Sequence, residues 1–382
     1  MILANWEDAR EGARRRLPKI FFDFIDGAAF SESTARANIE DFDKWVFEQR
    51  VLVDVAERTL DASYLGKSRP LPMILGPVGF AGFFAPHAEI KAARAAHAAG
   101  IPFCLSNFGI VAMEKLRAAT DGPLWFQLYV LKDRELSEKL LQRAEAIGAE
   151  ALVITVDSQV KSVREKDTRN GFRTLTKLTP GLALRLMRKP RWVAGALTGG
   201  PIRINNLADY PQYGSSALEQ AAKLGHLIDA SMTWEDIARF RSRWKGKLII
   251  KGILSAEDAA QCARLGVDAI VVSNHGGRQL DGARSSISVL PEVVSEVGDK
   301  LDVLFDGGIR RGSHVVKAMA LGAKGVLLGR SYAYAVAADG ENGVRQMLEL
   351  MRVEMDVALG HIGVRNFGEL YQQRARALRP RD

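Results

Sequence analysis

Eight short apolar runs, separated by helical stretches, constrain the fold of this chain more than any other feature. They start at Pro72 (PMILGPV), Ile101 (IPFCLS), Leu124 (LWFQLYV), Ala151 (ALVITVD), Lys247 (KLIIKG), Asp268 (DAIVVSN), Leu301 (LDVLFDG) and Lys324 (KGVLLGR). Each is nearly continuous in apolar residues, the pattern of a parallel strand covered on both faces. Stretches such as AEIKAARAAHAAG, SEKLLQRAEAIGAE, SAEDAAQCARLG and SHVVKAMALGAK lie between them, and the last two set Gly266 and Gly322 where a helix C-terminal cap belongs. Eight strands alternating with helices predict an α/β fold of the (β/α)8 barrel class, with an N-terminal helical segment ahead of the barrel and the active site at the carboxyl ends of the strands. A doubly wound open sheet is the competitor, because alternation alone does not close a barrel. Residues 1–382 are read as a single domain.

The spacing breaks once. Ala151 and Lys247 are 96 residues apart, whereas every other consecutive pair of run starts is 21 to 33 apart. An insertion, residues 168–215, therefore follows the fourth strand. From Thr168 to Ala208 it holds no acidic residue but eight basic ones: Arg169, Arg173, Lys177, Arg185, Arg188, Lys189, Arg191 and Arg203. That matches the whole net charge of +8. Its middle, LALRLMRKPRWVAGAL, mixes leucines, a tryptophan and clustered cations in the manner of a segment lying on an anionic bilayer, and charges interrupt it too often for a span of roughly 20 apolar residues. A lid with solvated cations is the alternative. Nucleic-acid binding is not expected, because the basic residues cluster in one insertion without a recognisable module. A composition of 47% hydrophobic and 26% charged residues can bury a sizeable core. Cys104 and Cys262 lack metal or disulfide spacing, and the N-terminus lacks an apolar leader, so a reducing, cytoplasmic setting without a metal site is expected.

Polar chemistry gathers at the strand ends. The loops after strands seven and eight read DGGIRRG and LGRS, placing backbone donors at Gly307, Gly308 and Gly329 beside Arg310 and Arg330, a combination suited to phosphate. Gln127, Tyr129, Thr155, Asp157, Lys251, Ser273 and His275 stand at other strand ends, where inward polar side chains are costly unless a ligand satisfies them. A flat, polar, phosphate-anchored cofactor such as flavin mononucleotide (FMN) would do so, with Lys251 stabilising an anionic reduced ring. Lys251 could equally cap the barrel by pairing with an acid. His275 precedes two glycines and lies three residues before Arg278, a pairing able to set a proton acceptor and a carboxylate clamp on one small substrate, with Asp157 orienting the imidazole. His97 and His314, inside helical patterns, are read as structural.

The stretch SNHGGRQLDG resembles the signature of the FMN-dependent 2-hydroxy acid oxidases and dehydrogenases. The likeness covers nearly the whole chain, from RRLPKIFFDFIDGAA through GPVGF, WFQLYV and TVD to DGGIRRGSHVVKAMALGAKGVLLGRS. The resemblance implies that Pro77, Val78 and Gly79 line the flavin and that Ser106, Gln127, Thr155, Lys251 and Ser273 contact its rings. Asp306, Gly307, Gly308, Ile309 and Arg310, with Gly329 and Arg330, would hold ribityl and phosphate. It implies His275 as base, Asp157 as its partner, Arg278 and Arg164 as carboxylate binders, and Tyr129 as a hydroxyl aimed at the substrate's C2 oxygen. The KPRW insertion is similar to the segment by which bacterial mandelate and lactate dehydrogenases attach to the inner membrane, which implies a peripheral protein on its cytoplasmic face passing electrons to quinone. Gly79 fits that branch, and a homo-oligomer, a tetramer, is implied as well.

Two positions depart from the pattern. Where relatives commonly carry a tyrosine that bonds the substrate carboxylate, this chain has Phe24. A hydrogen bond to a charged group is worth roughly 1.5 to 3 kcal/mol, so its loss weakens binding of small hydroxy acids more than tenfold or marks a bulkier substrate. Ser162 stands where relatives often have glycine two residues before Arg164. The expected function is oxidation of an L-2-hydroxy acid (lactate, mandelate or a bulkier analogue) to the 2-oxo acid. A soluble oxidase making hydrogen peroxide, and a flavin-binding sensor or scaffold altered by Phe24, are the alternatives.

Overall fold

The computed structural model describes residues 1–172 and 177–381, so that Arg173 lies outside the described residues. The eight runs form parallel strands: β1 (Met73–Leu75), β2 (Phe103–Ser106), β3 (Leu124–Leu128), β4 (Ala151–Thr155), β5 (Lys247–Ile253), β6 (Ala269–Val272), β7 (Asp302–Asp306) and β8 (Gly325–Leu328). They pair in chain order, β8 pairs with β1, and the barrel is closed, which excludes the open sheet. Every residue of β3 and β4 is buried, as a strand between barrel interior and helical shell requires. Helix ends follow the sequence signals. Asp133 and Ser255 accept from the backbone amides of Leu136 and Asp258, while Gly266 and Gly322, with φ of 67° and 107°, turn the chain after two helices.

Three N-terminal helices precede the barrel: α1 (Trp6–Arg16), α2 (Lys19–Asp26) and α3 (Ser33–Glu40). α1 lies along the long helix Arg330–His361, and α3 lies against the turn His275–Gly277 that follows β6. After β1 the chain enters α4 (Ala88–Ala98), and the insertion after β4 carries α5 (Pro180–Met187) and α6 (Pro190–Thr198). Trp192 anchors α6: its indole nitrogen donates to the Phe83 carbonyl at 2.8 Å and its ring stacks on Phe21, which stacks in turn on Phe83. Such ring pairs contribute roughly 0.5 to 1.5 kcal/mol each beyond area burial. Leu184, Met187 and Leu197 of these helices remain exposed, and no described helix is long and apolar enough to cross a membrane. Cys104 and Cys262 are buried free thiols.

Candidate active site

Strand register gathers the polar residues. Ser106 of β2 is opposite Gln127 of β3, and Thr155 of β4 is opposite Lys251 of β5, so adjacent strands end on polar side chains at one level of the barrel mouth. Ser106 donates to Gln127 Oε1 at 2.8 Å. Lys251 Nζ lies 2.9 Å from both Asp306 Oδ2 and Ser273 Oγ, and Ser273 donates to Asp306 at 2.7 Å. Pairing with an acid, one of the two readings of Lys251, is thus present, and Lys251 still lines the cavity. Burial lowers the Lys251 pKa, but Asp306 and Asp157 outweigh it and raise it overall.

His275 Nδ1 lies 2.8 Å from Asp157 Oδ1. Ser158 Oγ donates to the same carboxylate oxygen at 3.0 Å and receives a bond from the Gln279 amide. With Nδ1 facing the carboxylate, Nε2 faces the Tyr129 hydroxyl, 3.4 Å away. Burial holds His275 below the usual imidazole range despite Asp157, so the ring is neutral and basic at neutral pH. For Asp157, burial is outweighed by His275 and Lys251, and the carboxylate stays ionised. Burial, followed by the Asp157 charge, raises Tyr129, which keeps its phenol protonated as a donor.

The backbone that presents His275 is strained. His275, Gly276 and Gly277 have φ of 65°, 66° and 74°, and a non-glycine residue in the left-handed region is uncommon. Asn274 fixes this turn by accepting from the Gly277 amide at 3.0 Å, while its amide group exchanges two hydrogen bonds with Asn38 of α3. Only glycine fits at 277, where a Cβ would lie 2.5 Å from the Ala35 nitrogen. At Gly252, φ 111°, a Cβ would meet the Asp157 side chain at 2.7 Å, so this glycine permits the carboxylate's approach to β5.

Arg278 and Arg164 both line the cavity, and Arg164 Nε donates to the Arg278 carbonyl at 3.2 Å. Arg278 donates to the Gly27 carbonyl at 2.6 Å, and its guanidinium lies 5.1 Å from the Phe24 ring centre. Burial, then the neighbouring Arg164 and Arg330 cations, lower the Arg278 pKa, an electrostatic cost that a carboxylate ligand would relieve. Phe24 packs on Phe172 with ring centres 4.6 Å apart and edge-on to Phe80 at 6.1 Å; with Phe84 these rings form one apolar wall of the cavity.

On the other side the cavity is bounded by Pro77, Val78, Gly79, the 306–310 loop, Gly329 and Arg330. Among the described residues, Gln127 Nε2, Thr155 Oγ1 and Arg310 Nε are buried and find no hydrogen-bond partner. Orphaned polar atoms at a barrel mouth are costly, and the carbonyl edge of a flavin and a phosphate are groups that would satisfy them. Arg310 lies over the Trp6 ring at 5.2 Å, and its pKa is pushed down to about 10 by burial, so it remains a cation suited to phosphate. These residues therefore fit FMN.

Of the site residues named from the sequence, all but Ser106, Gln127, Asp157 and Ser273 line the cavity; Asp157 and Ser273 contact the lining His275 and Lys251, and Ser106 and Gln127 bond each other at the ends of β2 and β3. Sequence reasoning did not single out Asn38, Ser158, Phe172, Asn274 or Gln279 as site-building residues. Asn274 and Gln279 sit inside the quoted signature and Ser158 directly follows TVD, whereas nothing local marks Asn38 or Phe172.

The family described as FMN-dependent dehydrogenase matches residues 13–377. An L-lactate dehydrogenase of Caulobacter vibrioides is 45% identical over 371 residues, 97% of either chain. Among solved structures, a monotopic membrane protein, (S)-mandelate dehydrogenase, superposes with a TM-score of 0.93 at 40% identity, covering 99% of this chain and 100% of that one. A mandelate oxidase with (S)-4-hydroxymandelic acid gives a TM-score of 0.86 at 34% identity, covering 99% of each chain.

Proposed function

The chain belongs to the FMN-dependent dehydrogenase family and is an FMN-dependent oxidoreductase acting on 2-hydroxy acids; from that premise we propose that it oxidises an L-2-hydroxy acid with a bulky aromatic side chain and delivers the electrons to a membrane quinone. The observation that carries the substrate reading is the cavity wall of Phe24, Phe80, Phe84 and Phe172 beside two arginines. A lactate methyl leaves such a wall unused, whereas an aryl ring packs against it.

In this reading Arg278 and Arg164 clamp the substrate carboxylate, and the Tyr129 hydroxyl addresses the C2 oxygen. His275 Nε2 takes the proton, and Asp157, held by Ser158, stabilises the imidazolium that results. FMN, when bound, accepts the two electrons. Pro77, Val78, Gly79, Ser106, Gln127, Thr155, Lys251 and Ser273 would surround its rings, and residues 306–310, Gly329 and Arg330 would hold its ribityl chain and phosphate. As an oxidoreductase the chain is not the non-catalytic sensor that Phe24 made an alternative.

Membrane attachment is assigned to the insertion within residues 168–215 of one catalytic domain, with attachment at the cytoplasmic face of the inner membrane and the protein a homotetramer. Its support is the exposed Leu184, Met187 and Leu197 among the basic residues of α5 and α6, together with the likeness to a membrane dehydrogenase. A soluble oxidase is the second reading, favoured by the likeness to a mandelate oxidase.

Anaerobic addition of lactate, glycolate, mandelate and longer aryl hydroxy acids to the holoprotein tests the proposal. The flavin band should bleach fastest with an aryl acid and reoxidise faster with a quinone than with oxygen. Silence across the panel, or rapid reoxidation in air alone, contradicts it. Deleting residues 179–200 should move the protein from the membrane to the soluble fraction.

A further inference from the structure

A second cavity, of about 800 Å³, lies on the far side of Phe84, the residue that lines both cavities. The segment leading into α4, the loop after β2, and α6 with the residues that follow it form its walls. Cations converge on it: Arg16, Lys91, Lys115, Arg191 and Arg203, with the His87 imidazole among them. Two of its carboxylates are already engaged, because Glu114 accepts from Arg143 at 2.7 and 2.9 Å and Asp339 lies 3.7 Å from Arg16. The third, Asp209, is exposed. Among the described residues no carboxylate stands within ion-pair distance of Lys91, Lys115 or Arg191.

The cations also act on one another. Burial lowers the Lys91 pKa, and Arg16 lowers it further against the pull of Glu341. His87 is lowered by burial and then by Lys115 and Lys91. Like charges drawn to one concave surface are stabilised by an anion placed among them, and lysine and arginine donors suit phosphate oxygens. Apolar side chains, Phe84, Ile110 and Trp192, share the same walls, so the complementary ligand is an anion joined to apolar bulk.

We propose that this cavity binds the phosphate of an anionic phospholipid headgroup at the junction of insertion and barrel. The proposal rests on the membrane attachment read above. It commits to a lipid over a free phosphate compound because α6 lines the cavity while its Leu197, like Leu184 and Met187 of α5, is exposed. A helix lying in the interface holds its cavity side at the depth of the headgroup phosphates.

The experiment compares the full-length holoprotein with its Lys91→Glu/Lys115→Glu variant in sedimentation with vesicles of phosphatidylcholine alone or mixed with phosphatidylglycerol. A charge-matched control, Lys245→Glu/Lys300→Glu, alters two lysines ahead of β5 and β7, and flavin content with thermal unfolding confirms that each variant is folded. The expected result is a preference of the wild type for phosphatidylglycerol vesicles that falls at least tenfold in Lys91→Glu/Lys115→Glu and survives in the control. Equal losses in both variants, or none in either, overturn the site while leaving membrane attachment in place. Absence of wild-type binding to either vesicle overturns the attachment reading and the lipid with it. Calorimetric binding of inorganic phosphate, lost in Lys91→Glu/Lys115→Glu but without vesicle preference, overturns the lipid as ligand and assigns the cavity to a free phosphate compound.

Discussion

Nδ1 of His275 and Oδ1 of Asp157 are 2.8 Å apart, a contact that joins the loop after β6 to the end of β4 across the barrel mouth. It fixes the tautomer in which Nε2, facing the Tyr129 hydroxyl, is the acceptor, and it supplies the countercharge for the imidazolium. Replacing Asp157 by Asn keeps the shape and removes the charge. The expected outcome is a kcat lower by about 10²- to 10⁴-fold with FMN content unchanged, measured by stopped-flow flavin reduction. A loss below threefold would show that the carboxylate is not coupled to proton transfer.

The pH profile follows from the direction of the His275 shift. The base must be neutral, and burial holds its folded-state pKa below 6.5. Activity should therefore rise as pH increases through a value below 6.5 and be level at neutrality, with kcat/KM reporting the free enzyme. An acid limb centred above pH 7 is the contrary result.

Phe24 lies under the Arg278 guanidinium, where a phenol could add a donor for a carboxylate. Phe24→Tyr should raise kcat/KM for lactate and mandelate alike, by about tenfold or more, since both acids carry the carboxylate and a hydrogen bond to a charged group is worth roughly 1.5 to 3 kcal/mol. Steady-state kinetics with each acid measures the gain. An unchanged kcat/KM for both acids removes position 24 from carboxylate binding.

His314 stacks on Phe42 with ring centres 4.2 Å apart, and its pKa is lowered to about 4, chiefly by burial. Between pH 6.5 and 4 the unfolded chain binds a proton that the folded one refuses. Stability contributed by the neutral ring is present above that window and is lost as pH falls through it, by about 2 to 3 kcal/mol. Denaturant unfolding at pH 7 and pH 5 should show a smaller pH dependence in His314→Gln than in the wild type. Parallel slopes in the two proteins contradict this.

The barrel was legible because buried parallel strands need continuous apolar runs, and all eight runs became strands within a few residues of their expected bounds. His275, Asp157 and Arg278 were legible because the chemistry sits at strand ends, where polar residues stand out against apolar neighbours. Asn38 and Phe172 were not. Asn38 meets Asn274 across 236 residues of chain, and Phe172 joins an aromatic wall assembled from α2, the segment after β1 and the insertion. Such contacts follow from closure of the barrel onto its N-terminal helices, which no local pattern encodes. Lys251 shows a further limit. Its two sequence readings, cofactor contact and ion pair, are not exclusive, because one ammonium can face Asp306 while lining the cavity.

The central claim is that His275 is the base that starts oxidation of the hydroxy acid. Anaerobic rapid mixing of His275→Asn with the acid that reduces the wild type fastest tests it most directly. Retained FMN, a spectral change showing that the acid binds, and flavin reduction slowed at least 10²-fold are expected. Reduction at the wild-type rate by a variant that lacks the imidazole would contradict it.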